Sequence, residues 1–384
     1  MFLPWYTFSV AAIAQAAGAK PDKSASAGPA IGWLYSSTTD LFILLAPIAI
    51  TAGCAVLEAS RGGGRVLERD YAGWISQFVL GNTSHVILTF LLLFVRRDML
   101  DAAPNQRRIV VGGGLVALVA SFGFLWTFAR VLPTWGDFGT AIVVIFASHH
   151  SLSQTKGIWS LYALRAGGLG LPRPAPAEQK LQRAFVPVGL VLLVTRILFV
   201  PADVGRRFSL VVPIPGEAAL LPFEAAWLLV AAWVGFAGTI VWTMVRGRAS
   251  VARVVYVALH ALAIAVTLRW PTWGTAISAG MHGLEYYFLS ARMIGPAEGE
   301  SSRVRGAWVW VCMAVAMAPA FVVGAMIAPF KGTFALSASA QDAVEIARLA
   351  LNAVVLTHYF ADAFIYRFRI PSVRQVALRR LHFV

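Results

Sequence analysis

Stretch after stretch of this chain is apolar for long enough to cross a bilayer, and the segments between are short and basic. No other feature restricts the fold as strongly. A helix of about 20 apolar residues matches the thickness of the hydrocarbon layer. Backbone groups in lipid must be satisfied within the protein, so long runs without alternation mean helices rather than a barrel. Ten spans are predicted, at roughly 41–57, 72–95, 109–131, 138–163, 184–202, 218–245, 251–270, 273–293, 307–330 and 343–367. Of the 384 residues, 58% are hydrophobic and only 13% charged. A water-soluble domain of this length could not bury so much apolar surface. The expected fold class is all-α, a polytopic transmembrane helical bundle of about ten spans.

The bundle is expected to occupy residues 41–368, between an N-terminal tail and linker (1–40) and a basic cytoplasmic tail (369–384). Met1 to Ala17 is apolar but lacks a basic start, and reads as an interfacial tail; a cleaved signal is the alternative. With the N-terminus inside, 21 basic residues fall in inner loops and tails and 8 in outer loops. That bias predicts both termini on the cytoplasmic side, in a bacterial inner membrane. The basic loop from Glu58 to Tyr71 is the exception. The formal charge of +14 is spread through these loops as a topology signal, so no nucleic-acid partner is expected. Cys54 and Cys312 both lie in apolar runs, outside any CxxC or Cys/His context.

Histidines stand in the middle of four spans: His85, the pair His149 and His150, His282 and His358. All four spans run from outside to inside, and each histidine lies about 10 to 16 residues from the outer end. At about 1.5 Å per residue they share one layer near the bilayer centre. An ionisable group in hydrocarbon is costly and usually faces the bundle interior. The expectation is that these histidines ligate one metal. Each has polar company one turn on, where side chains share a helix face: Thr89, Gln154, Glu285 with Tyr286, and Asp362. Asp362, Glu285 and Tyr286 are the candidate catalytic residues, as extra ligands or as acceptors for the second imidazole nitrogen. His260 has no such neighbour and reads as structural, and His382 as solvated. Arg196 has no evident partner and reads as snorkelling; Arg348 has Glu345 at helical spacing.

Pro133-Thr134-Trp135-Gly136 and Pro271-Thr272-Trp273-Gly274 form a faint repeat, each followed by Thr-Ala-Ile and then a histidine. Imidazole with carboxylate suits a redox-active iron or zinc. Iron in an apolar cavity suits oxidation of a lipophilic molecule, such as a polyene or acyl chain, and aromatics including Trp159, Tyr162, Tyr359 and Phe360 could line its path. Three other readings stay open: axial ligation of haem, an ion or proton transporter, and a non-catalytic subunit of a membrane complex or homo-oligomer. No HxxHH cluster, P-loop, Rossmann glycine motif or Ser/His/Asp signature is present.

The segment Thr357-His358-Tyr359-Phe360-Ala361-Asp362-Ala363-Phe364-Ile365-Tyr366-Arg367 resembles the last histidine segment of the Brp/Blh-type β-carotene 15,15′-dioxygenases. Ser84-His85-Val86-Ile87-Leu88-Thr89 and His150 to Gln154 are similar in placement to that family's first two histidine motifs. Thr89 and Gln154 stand where the family has Asp, and the Asp of the last segment is shifted by one. The resemblance implies a polytopic membrane protein with iron held by histidines on separate helices.

Overall fold

The computed structural model describes residues 32–60, 84–95, 97–200, 221–222, 224–294, 308, 311–313, 315–317, 338–365 and 370–381. Every regular element among them is helical, with no strand. The chain before residue 32, residues 61–83, most of the predicted ninth span, the Arg348 side chain, Tyr366, Arg367 and His382 lie outside the described residues.

The elements are α1 (Ser37–Ser60), α2 (Ser84–Val95), a single turn α3 (Arg97–Leu100), α4 (Gln106–Trp126) and α5 (Gly136–Gly168). They continue with α6 (Pro176–Phe199), α7 (Ala225–Arg246), α8 (Val251–Arg269), α9 (Pro271–Ile294), α10 (Ala338–Ile365) and α11 (Pro371–Arg380). Local chemistry sets several starts. Ser36 Oγ accepts the Thr39 amide at 3.1 Å, and Ser250 caps α8 through the Arg253 amide. α6, α9 and α11 begin on proline, whose fixed φ suits the first helical turn. The α8–α9 connection is so tight that a Cβ on Gly274 would overlap the Thr267 backbone.

Five helices are long and apolar enough to cross a membrane: α1, α4 with its π-turn extension to Val131, α6, α7 and α8. α2 is apolar but shorter. The chain is thus a helical membrane protein, and five such spans, rather than ten, meet both conditions among the described residues. The helices that carry His85, His150, His282 and His358 are not among the five: α2 is too short, and the other three are less apolar. α5, α9 and α10 place Gln154, Lys156, Glu285, Arg292 and Asp362 among their apolar residues, which dilutes their hydropathy. In the folded protein the apolar helices surround them. α1 and α8 pack on α9, α6 packs on α5, and α4 lies along α10.

Contacts between loops group the helix ends. Gly32, Leu171 and Ser250 meet at one end, and the Arg292 guanidinium lies 5.3 Å from the Tyr35 ring centre there. At the other end Arg130 pairs with Asp342 at 2.8 Å, and Trp227 meets Trp270 at 6.1 Å. Arg196 is also near that end, and its expected snorkelling is corrected. It is 2% exposed and donates to the Leu268 and Val200 carbonyls at 2.8 and 3.0 Å. Carbonyls at helix C-termini lack intrahelical partners, and a buried guanidinium supplies several donors.

The fold begins by residue 32, because Asp40 accepts the Leu34 and Tyr35 amides at 2.7 and 3.2 Å and folds that segment onto α1. At the other end Pro371–Arg380 is helical. Its Val373 and Ala377 are buried, it packs on α9, and Arg380 reaches Asp98 at 3.0 Å.

Candidate metal centre

Four helices form a closed ring in which α2 and α5 each pack against both α9 and α10. The buried stripes of these helices face inward at helical spacing. On α2 they include His85 and Thr89; on α9, His282 and Tyr286; on α10, His358 and Asp362. The histidines therefore meet at the ring's centre. One ligand nitrogen from each of His85, His150, His282 and His358 lies within 4.8 Å of all the others. His85 Nε2 is 3.1 Å from His358 Nε2 and 3.2 Å from His282 Nε2.

The donor set fits a cation. With metal–nitrogen bonds of about 2.0–2.1 Å, a tetrahedron has edges of about 3.3–3.4 Å, close to these two separations. A single proton on His85 Nε2 could serve only one of its two imidazole neighbours. His358 Nδ1 is bonded to the Val355 carbonyl, which leaves its Nε2 lone pair for the centre. A haem fits poorly. A macrocycle held between two axial imidazoles would occupy the space of the other two.

The structure separates the adjacent pair. His150 belongs to the group, while His149 is exposed and does not. Consecutive helical residues point about 100° apart, so both cannot face one centre. Asp362 is placed beside the group, with Oδ2 3.7 Å from His150 Nε2. The Tyr286 hydroxyl donates to Asp362 Oδ1 at 2.9 Å and accepts from Thr89 at 2.7 Å. Thr89 Oγ1 also lies 3.2 Å from Asp362 Oδ1 and 3.3 Å from the His85 carbonyl. This network ties α2, α9 and α10 together. The Tyr359 ring stacks on His150 at 4.3 Å, whereas Trp159 meets Phe185 and Tyr162 meets Tyr256.

Glu285 is not part of the histidine group. It pairs instead with His260, Oε1 to Nε2 at 3.0 Å, and accepts from Gln154 at 3.3 Å. The pairing of His260 is invisible to i+3 and i+4 spacing because the partner is on another helix. A histidine without a local partner on one apolar span, next in the chain to a span that carries a glutamate, was the available signal. Gln154 also donates to the His282 carbonyl at 3.1 Å, so it links α5 to the ligand helix. The Pro-Thr-Trp-Gly repeat leads into α5 and α9 as expected, yet its histidines follow at different distances, so it marks helix starts rather than ligand depth.

The fold and this cluster together define a class: a helical membrane protein with a buried four-histidine site able to hold a metal ion. No protein family, curated protein or solved structure matches the chain.

Proposed function

We propose that this chain is a membrane-embedded, iron-dependent oxidoreductase of the oxygenase kind, acting on a lipophilic molecule such as a polyene or acyl chain. One observation carries the reading. Imidazoles from four separate helices converge in the interior of a lipid-facing bundle, beside a carboxylate held by Tyr286 and Thr89. His85, His150, His282 and His358 would hold the ion, and iron there would supply one-electron chemistry toward dioxygen. Asp362 stands beside His150 and is itself fixed by Tyr286. The apolar helices around the ring leave the bilayer as the route for substrate. The spacing of segments supports a ten-span arrangement in a bacterial inner membrane with both termini cytoplasmic, a topology that reporter fusions at each terminus test.

The deciding experiment is metal analysis of the purified protein with optical and electron-paramagnetic spectra. About one iron per chain without a Soret band is expected, and loss of that iron in His358→Ala. Stoichiometric zinc in place of iron, or haem, would overturn the reading.

A further inference from the structure

A second buried polar system lies behind the histidines. Asp40, Tyr162, Tyr256 and Glu285 line one small cavity, walled by apolar residues including Ile43, Ile158 and Leu289. These four are 1%, 3%, 1% and 5% exposed. Tyr162 donates to Asp40 Oδ2 at 3.0 Å, and its ring lies 4.8 Å from that of Tyr256. Tyr256 donates to the Thr155 carbonyl at 3.3 Å. The inner end is Glu285, held by His260 and by the Gln154 amide that also reaches the His282 carbonyl.

The file has a direction. Asp40 holds Leu34 and Tyr35, and Arg292 stacks on Tyr35, so the outer end lies where α1 begins and α9 finishes. Glu285 is seven residues from Arg292, about 10 Å deeper along α9, and one turn from His282. The groups that face Glu285 are His260 and Tyr256 of α8, Tyr162 and Gln154 of α5, and, across the cavity, Asp40 of α1. Carboxylic acids inside a membrane bundle are costly and mark ion or proton routes. Apolar side chains would pack these helices at lower cost.

We propose that this file is a proton inlet, with Asp40 at its mouth and the Glu285–His260 pair as its inner terminus. The inference rests on the redox reading of the histidine centre. For each electron that an external one-electron donor would pass to a metal held by the four histidines, reducing it by one charge, one proton leaves bulk water at the Tyr35 end. It passes through water in the cavity and comes to rest on the Glu285 carboxylate, with hydroxide left in bulk.

Two measurements test the inlet. Leu289→Cys and Ile43→Cys, made separately, are exposed in oriented membrane vesicles to a water-soluble methanethiosulfonate reagent. Modification at least tenfold faster than in the unmutated chain, from one side only, is expected. No excess labelling of either variant from either side overturns a hydrated inlet, whatever metal is bound. Second, iron-loaded protein in nanodiscs is reduced by dithionite while a dye reports proton uptake. Glu285→Gln and Tyr162→Phe are expected to keep the iron and to slow uptake at least tenfold. Uptake as fast as in the unmutated chain overturns the inlet. An unmutated centre that holds iron but takes up no proton on reduction overturns it too. A centre without reducible iron instead overturns the proposed function, and the inlet's purpose with it.

Discussion

Removing His85 should cost far more metal affinity than removing His149. His85 is 2% exposed and its Nε2 stands between two other ligand nitrogens, at 3.1 and 3.2 Å. His149 is exposed and outside the group. Four-ligand zinc sites bind with roughly 10–16 kcal/mol, so one ligand of four is worth about 3 kcal/mol. At about 1.4 kcal/mol per decade, His85→Ala should weaken binding by a factor of about 100 or more. The loss should also appear as stability, since a metal at 100 times its Kd contributes about 2.7 kcal/mol to the folded state. The assay is competitive metal titration in nanodiscs together with thermal unfolding of the apo and loaded forms. Deleting a buried imidazole also leaves a cavity, so His85→Gln is measured beside it, and the unfolding of the apo proteins isolates that effect. Equal metal affinity in His85→Ala and His149→Ala, with both proteins folded, would refute the assignment of the centre.

Other changes follow from the same packing. Tyr286→Phe removes the donor to Asp362 and the acceptor of Thr89; metal affinity should fall about 10- to 100-fold, as for other groups that orient ligands, read by the same titration. Gly113→Ala would place a Cβ 2.5 Å from Phe360 Cζ, two residues from His358, and should cost about 1–3 kcal/mol in unfolding free energy. Phe360→Leu in the same chain should recover part of that loss, and no recovery would show that another contact is responsible. Arg253 and Glu178 form an ion pair at 3.1 Å with side chains 0% and 1% exposed. Arg253→Met should cost about 3–5 kcal/mol by leaving a buried charge unpaired, and Arg253→Met/Glu178→Gln should be markedly more stable than the single change.

Properties that depend on one helix alone were legible in the sequence. The apolar runs require membrane helices because lipid offers no partner to a bare backbone. His85, His282 and His358 stand out because each interrupts such a run, and Asp362 and Tyr286 because one helical turn carries them to the ligand face. The folded protein places all five at or beside one centre. Relations between helices were not legible. Only packing chose His150 over His149, since a single helix has no inside or outside until neighbours cover it. Glu285 looked like a partner of His282 by spacing, yet it turns to His260, 25 residues earlier in the chain, because α8 and α9 fold against each other as a hairpin. Arg196 found its acceptors at the ends of two helices, and those carbonyls exist as unpaired groups only once the helices stop. Hydropathy by itself even discounts α5, α9 and α10, three of the four helices around the centre. Their polar side chains lower it, and only the surrounding apolar helices show why such segments can lie inside a membrane protein. The sequence thus determined the medium, the helical class and most of the histidine cluster; tertiary structure decided which side chains meet, because a meeting point belongs to several helices at once and to none of them singly.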